Sequence, residues 1–220
     1  MEPVLEIKNL SHVYGVDTPF EHVALDNVSL RFAAGKIHGL IGRNGSGKTV
    51  LLKILCGFMA PTSGEVLFDG KPALPGALRE SMGIIIESPG FIGSKSGFVN
   101  LWYLASLRKR ITKEQVRQAM ETVGLDPASK KAVRKYSMGM RQRLGIAQAI
   151  MEDPAVILLD EPMNGLDNQG VEDIRRVLLS LRDKGKTILL ASHSKEDIAV
   201  LCDTVTEMEA GHAKKVKTRE

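Results

Sequence analysis

With 220 residues, 43% hydrophobic and 25% charged, the chain has the composition of a soluble globular protein, long enough for one sizeable domain with a subdomain. Thirty Lys and Arg against 26 Asp and Glu leave a net charge of +4, and much of it sits in the terminal run AKKVKTRE (Ala213–Glu220), read as a solvated tail rather than a contact with nucleic acid or anionic lipid. No apolar run approaches the ~20 residues that span a bilayer, and MEPVLEIKNL lacks the basic start and apolar core of a signal peptide, so a membrane role is expected to come through a partner.

In chain order, LEIKNL (Leu5–Leu10) and NVSLRF (Asn27–Phe32) alternate polar and apolar residues and predict half-exposed strands. KIHGLIG (Lys36–Gly42) predicts a more buried strand that runs into a glycine-rich loop. TVLLKILCG (Thr49–Gly57) has helical spacing and ends at a glycine. PTSGEVLFDG (Pro61–Gly70) gives a turn, a strand and a second turn. GIIIESPG (Gly83–Gly90) holds three isoleucines that predict a strand buried on both faces, broken at Glu87 by a turn that Ser88, Pro89 and Gly90 favour. An acid at that break is either a polar residue reaching water or a carboxylate that faces a charge.

Three helices are predicted next: NLWYLASLRKR (Asn100–Arg110), TKEQVRQAMETVGL (Thr112–Leu125) and MRQRLGIAQAIMED (Met140–Asp153). Thr112 and Gln115 have capping-box spacing, and Pro154 halts the third helix. AVILLD (Ala155–Asp160) and TILLAS (Thr187–Ser192) are buried strands with a helix between them, roughly Gln169 to Lys184. Apolar strands that alternate with helices predict a parallel sheet covered on both sides, with a helical insert from about Ser88 to Asp153. Cys56 and Cys202 lie far apart with no CxxC and read as buried thiols of a cytosolic protein.

The loop GRNGSGKT (Gly42–Thr49) fits GxxxxGK[ST] between a predicted strand and a predicted helix, the context that the motif needs. Gly42, Asn44, Gly45, Ser46 and Gly47 let backbone N–H groups curl around phosphates at a helix N-terminus. Lys48 neutralises the β- and γ-phosphates, and the Thr49 hydroxyl is a ligand for Mg²⁺. VILLDEP (Val156–Pro162) delivers two carboxylates at the end of an apolar strand. Asp160 suits the shell of Mg²⁺, and Glu161 suits polarising the attacking water as general base. His193 follows TILLAS at another strand end, within reach of the γ-phosphate. Expected cofactors are ATP and Mg²⁺.

YSMGMRQRLGIAQAI (Tyr136–Ile150) resembles the signature segment of ABC-type ATPases, usually written LSGGQ and followed by a basic helix containing QR. Ser137 and Gly139 match it, whereas Tyr136, Met138 and Met140 depart from it. NGLD (Asn164–Asp167) resembles the family's D-loop, Ser192–His193 its H-loop, and Tyr14 sits where an aromatic stacks on adenine. The resemblance covers nearly the whole chain. It implies an α/β fold: a P-loop NTPase core of ABC type with an antiparallel β subdomain, residues 1–87 and 154–220 forming the ATP-binding core and 88–153 the helical subdomain. It also implies a head-to-tail homodimer or heterodimer in which Ser137 and Gly139 of one chain close on the ATP of the other, and places Asp167 at the nucleotide. The partner implied is an integral-membrane permease at the cytoplasmic face of the membrane, with membrane contact only through that permease and no nucleic acid.

Glu87 stands where the family usually has the Q-loop glutamine, so the resemblance makes it a Mg²⁺ ligand or a charge for a partner's Lys or Arg. ESPGF (Glu87–Phe91) and YSMGM (Tyr136–Met140) resemble exporters that act in bacitracin and lantibiotic resistance. Phe91, Phe98, Trp102 and Tyr103 are read as core, with a groove for a permease helix as the alternative. An ABC-type ATPase that acts on nucleic acid or ribosomes is the other reading of the whole chain.

Overall fold

The computed structural model describes residues 3–73, 82–87 and 90–218. The first third comprises β1 (Pro3–Tyr14), β2 (His22–Ala33), β3 (Ile37–Ile41), α1 (Lys48–Leu55), β4 (Ser63–Phe68) and β5 (Lys71–Pro72). The middle comprises β6 (Met82–Ile85), α2 (Gly97–Arg108), α3 (Lys113–Thr122) and α4 (Met138–Ile150). The last third comprises β7 (Val156–Asp160), α5 (Asn168–Asp183), β8 (Thr187–Ala191), α6 (Lys195–Leu201), β9 (Thr204–Glu209) and β10 (His212–Thr218).

β1 and β2 each run to 12 residues, well past the alternating segments. Their pairing passes through register shifts between Ile7 and Leu10 and between Leu10 and His12, and Asn9 and Asn27 each take a φ of 48°. Bulges of this kind interrupt the period of two, which is why the alternation in sequence covers only part of each strand. With β4 and β5 they form a four-stranded antiparallel sheet in the order β2-β1-β4-β5.

The main sheet has six strands in the order β10-β9-β3-β8-β7-β6, all parallel except β10. Both of its faces are covered, and the strands show why their sequences are apolar without a break. Ile157 and Leu159 of β7 point into a core shared with α2 to α6, whereas Val156 and Leu158 point into a core shared with α1, β1 and β2. In β8 the same division separates Ile188 and Leu190 from Leu189 and Ala191. Each Ile, Leu or Val among them contributes about 1.5–3 kcal/mol by leaving water.

Two expectations change. β6 is an edge strand among the described residues: Ile85 is buried, but Ile84 and Ile86 are only half-buried, and no further described strand pairs with that edge. Ser88 and Pro89 of the expected turn lie outside the described residues. The basic run from Ala213 is not a solvated tail over its described part: it lies in β10, paired antiparallel with β9, and Arg219 and Glu220 fall outside the description. α6 and β9 have no counterpart in the sequence reading.

The capping box forms as expected, with the Thr112 hydroxyl accepting from the Gln115 backbone N–H and the Gln115 side chain accepting from the Thr112 N–H. Cys56 and Cys202 are both buried, as expected. The aromatic group divides: Phe91, Phe98 and Trp102 pack against the core, whereas Tyr103 is 45% exposed. α4 lies directly on β6, so close that a Cβ on Gly83 would sit 1.9 Å from the Ala149 carbonyl oxygen.

Candidate functional site

The parallel register lines up four strand ends. Leu40 of β3 and Asp160 of β7 both stand opposite Ala191 of β8, and Ile85 of β6 stands opposite Leu159 of β7. The chain therefore leaves the sheet at one edge with Gly42 after β3, His193 after β8, Glu161 after β7 and Glu87 after β6. Ligands of open α/β sheets bind beyond such carboxyl ends.

The phosphate loop joins β3 to α1. Gly47 caps α1 with a φ of 104°, and a Cβ there would meet the Ala24 carbonyl oxygen at 2.7 Å, so both the backbone angle and the packing against β2 require glycine. A Cβ on Gly45 would meet nothing within 4 Å, which leaves the mouth of the loop open. Lys48 is buried and its Nζ donates to the carbonyls of Gly42 (2.7 Å) and Arg43 (3.1 Å), curling the ammonium over the loop. The Ser46 hydroxyl is buried and has no hydrogen-bond partner among the described residues. This is a cradle of the kind that phosphate groups occupy.

The Thr49 hydroxyl donates to Asp160 Oδ2 at 2.7 Å. Burial pushes the Asp160 carboxyl above the usual range, the Thr49 hydrogen bond opposes this, and Glu161 beside it adds to the rise. Thr49 and Asp160 form an all-oxygen donor pair, which fits a hard cation that draws its remaining ligands from phosphate and water. His193 Nδ1 lies 2.9 Å from Glu161 Oε2. Among the described residues, Glu87 and Glu161 are the two glutamates with positive φ, 62° and 49°, a backbone region that such residues seldom occupy.

A cleft of about 590 Å³ brings together Tyr14, Gly45, Gly47, Lys48, Thr49, Glu87, Asp160 and Glu161, with Asn44 at its rim, a size suited to a nucleotide. Tyr14 is half-exposed at the end of β1, its hydroxyl against Met59 Sδ at 3.6 Å and its ring edge-on to His12. Other predicted residues stand elsewhere. The Ser137 hydroxyl accepts from the Met140 N–H and caps α4. The Asp167 carboxylate accepts from the Gly170 N–H and caps α5. Gly139 lies against the Gly165 carbonyl, where a Cβ would come within 2.9 Å. None of these three lines the cleft that holds Lys48 of their own chain.

The structure answers the question that Glu87 raises. Its carboxylate accepts from Lys53 Nζ at 2.6 Å, and Lys53 belongs to α1 of the same chain. Donating this hydrogen bond to Glu87 raises the Lys53 ammonium above its ordinary value, against a smaller opposing effect of burial. Neither partner's identity betrays the pair, since the two residues are 34 positions apart. Lys53 does stand four residues after Thr49, one helical turn along the same face, and that spacing is the signal available in the sequence. Gln142 was also unmarked; it donates to the carbonyls of Pro162 (3.0 Å) and Glu161 (3.4 Å) and lines the cleft with Met138 and Asn164.

A phosphate loop, a half-buried carboxylate beside its threonine, and a glutamate held by a histidine define a nucleotide-hydrolysing phosphate-loop protein. Residues 25–164 match the sequence profile of the ABC transporter family. The chain is 41% identical over 215 residues to the bacitracin transport ATP-binding protein BcrA of Enterococcus faecalis, covering 96% of this chain and 68% of that one. It is 35% identical over 202 residues to the lantibiotic transport ATP-binding protein SrtF of Streptococcus pyogenes, covering 92% and 85%. The fold superposes with a TM-score of 0.88 on the ATP-binding cassette MJ0796, solved as a dimer in a post-hydrolysis state bound to ADP and Pi, at 23% identity over 98% of this chain and 99% of that one. The chain belongs to the ABC transporter family, as an ATP-binding subunit of the subgroup that includes the bacitracin and lantibiotic systems, and it is an ATPase.

Proposed function

We propose that the chain is the ATP-hydrolysing subunit of an exporter whose membrane-spanning part is a separate permease, and that the cargo is a peptide antibiotic or a similar compound. The observation that carries the catalytic part is the common edge of the sheet, where Lys48, Thr49, Asp160, Glu161 and His193 follow three neighbouring strands. The names of the bacitracin and lantibiotic relatives support the cargo class.

In this reading Tyr14 stacks on adenine, the loop amides and Lys48 hold the phosphates, and Thr49, Asp160 and Glu87 are the protein's ligands for Mg²⁺. Magnesium, when bound there, would supply a Lewis acid to the nucleotide's phosphates. Glu161 takes the proton of the attacking water, and His193 orients its carboxylate through the 2.9 Å contact. Ser137 and Gly139, at the N-terminus of α4, lie at a positive helix end whose backbone N–H groups suit an anion, and neither lines their own chain's cleft. They serve the nucleotide of a second copy or of a similar chain, giving a head-to-tail dimer that ATP closes and hydrolysis reopens.

No helix among the described residues is long and apolar enough to cross a membrane, and the reading places the membrane-spanning part on a second chain. Exposed Tyr103, Leu104 and Leu107 on α2, near exposed Ile92, offer that chain an apolar face. The test is an affinity-tagged recovery from detergent-solubilised membranes of the native cell. A stoichiometric multi-span partner supports the proposal. Recovery with ribosomes or nucleic acid alone would replace it with a non-transport ABC ATPase.

A further inference from the structure

We propose that Lys53 is a positioning residue of the nucleotide site, acting through Glu87 to set how strongly ATP binding depends on a divalent cation. The inference rests on the ATP-site reading given above and adds to it a residue that none of the motifs includes.

The first argument is geometric. Lys53 stands one turn beyond Thr49 on α1, with its Nζ 2.6 Å from Glu87 Oε1. Glu87 lies past the end of β6 with a φ of 62°, so its carboxylate is held toward α1 and the Thr49–Asp160 pair instead of continuing the line of the edge strand. Lys53 is thus the side chain that fixes where the carboxylate waits.

The second argument is charge. The cleft presents three carboxylates, Glu87, Asp160 and Glu161, against one ammonium, Lys48. An ATP tetra-anion must enter that field. A glutamine at position 87 would add no charge, but a glutamate does, and Lys53 is the cation placed to offset it. The field is shared in fact: Glu87 contributes to raising the Asp160 carboxyl, and Asp160 contributes to raising the Lys53 ammonium.

The third argument is magnitude. The Glu87 side chain is 66% exposed and that of Lys53 30%, and pairs as open as this add little to stability. A pair worth so little to the fold is easily exchanged. A dication arriving beside Thr49 and Asp160 competes with the Lys53 ammonium for the same carboxylate, with twice the charge. Lys53 therefore lets metal-free ATP approach and yields Glu87 when a metal comes.

The experiment measures ATP affinity by calorimetry on the full chain, once with EDTA and once with Mn²⁺, and reads the ratio of the two dissociation constants. Lys53→Met is expected to weaken metal-free ATP binding by about two- to fivefold and to leave the Mn²⁺ complex unchanged or tighter, so that the ratio rises. Lys53→Arg keeps the parent ratio. In a Glu87→Gln background, Lys53→Met shifts the ratio by less than about 1.5-fold, because the residue through which Lys53 acts is gone. Melting temperatures within about 2 °C of the parent exclude an effect of folding. An equal rise of the ratio in both backgrounds would overturn the proposal, since Lys53 would then act on the nucleotide without Glu87. Absence of ATP binding by the unsubstituted chain would overturn the nucleotide-site reading itself.

Discussion

His193 Nδ1 stands 2.9 Å from Glu161 Oε2, so the ends of β8 and β7 are joined across the site by two side chains. An ionised carboxylate only accepts, and the proton between them therefore belongs to Nδ1. The contact fixes the rotamer of a glutamate whose backbone is already held at a φ of 49°. Glu161→Gln should lower hydrolysis about 100- to 10,000-fold while ATP still binds, and should accumulate an ATP-bound dimer detectable by light scattering. His193→Ala should lower kcat at least about tenfold with the dissociation constant for ATP within about threefold, since in the proposed mechanism the lost contact orients the base and does not hold the phosphates. A Glu161→Gln chain that stays monomeric in saturating ATP and Mg²⁺ would sink the head-to-tail pairing.

Asp160 gives a prediction for stability as a function of pH. Its carboxyl is raised in the folded chain, chiefly by burial, so the folded state holds the proton more tightly than the unfolded one. Below the ordinary carboxylate range both states are protonated and nothing is lost. As pH rises from there through the raised value, the unfolded chain ionises first, and the fold is destabilised. Asp160→Asn removes that penalty and still offers Thr49 an acceptor. Without nucleotide it should melt above the parent at pH 7, by about 2–4 °C for each kcal/mol relieved, and the two should converge near pH 3–4. The same variant should lose the added stability that ATP with Mg²⁺ gives the parent, which thermal scans will show.

Arg175 of α5 and Asp197 of α6 form a buried pair, with side chains 6% and 4% exposed and two guanidinium nitrogens at 2.9 and 2.6 Å from one Asp197 oxygen. Glu172 and Glu196 extend it to the surface. Arg175→Met leaves a buried carboxylate without its cation and should cost about 3–5 kcal/mol in denaturant titrations. The double replacement Arg175→Met with Asp197→Leu should cost less than that single one, because no uncompensated charge remains. Equal or additive losses would show that the pair itself, and not the orphaned charge, carries the energy.

On α2 the inner and outer faces should separate in one assay. Phe98 packs against the core with the Arg117 guanidinium 4.8 Å from its ring centre, so Phe98→Ala should destabilise the fold by about 2–4 kcal/mol. Leu107 is 79% exposed, and Leu107→Ser should leave the melting temperature within about 1 °C. If the outer face receives the permease, Leu107→Ser lowers transport or permease-stimulated hydrolysis while the basal ATPase of the isolated chain is kept. Unchanged transport in that variant would move the docking surface elsewhere.

The sequence was most legible where residue identity itself carries chemistry. GRNGSGKT and VILLDEP sit at the strand ends where the parallel sheet needs them, and unbroken apolar runs told that both faces of β7 and β8 are covered. It was least legible where two distant residues meet. No local pattern brings Lys53 to Glu87, and hydroxyls such as Ser137 cap helices in ways that a motif does not distinguish from ligand contacts. Bulges hid half of β1 and β2 from the period of two. β10 was missed because its lysines outweigh the alternation, so that composition argued for solvent while pairing with β9 decided the structure.

Those lysines have a use that charge counting does not suggest. A six-stranded sheet with open borders is a template for aggregation, because each border strand offers unpaired amides and carbonyls to any passing chain. One border here is β6, too short at four residues to recruit a partner easily. The other is β10, where exposed Lys214 and Lys215 set like charges against the approach of a second copy. The basic run thus sets like charges along that border of the sheet, which disfavours edge-to-edge pairing of two copies.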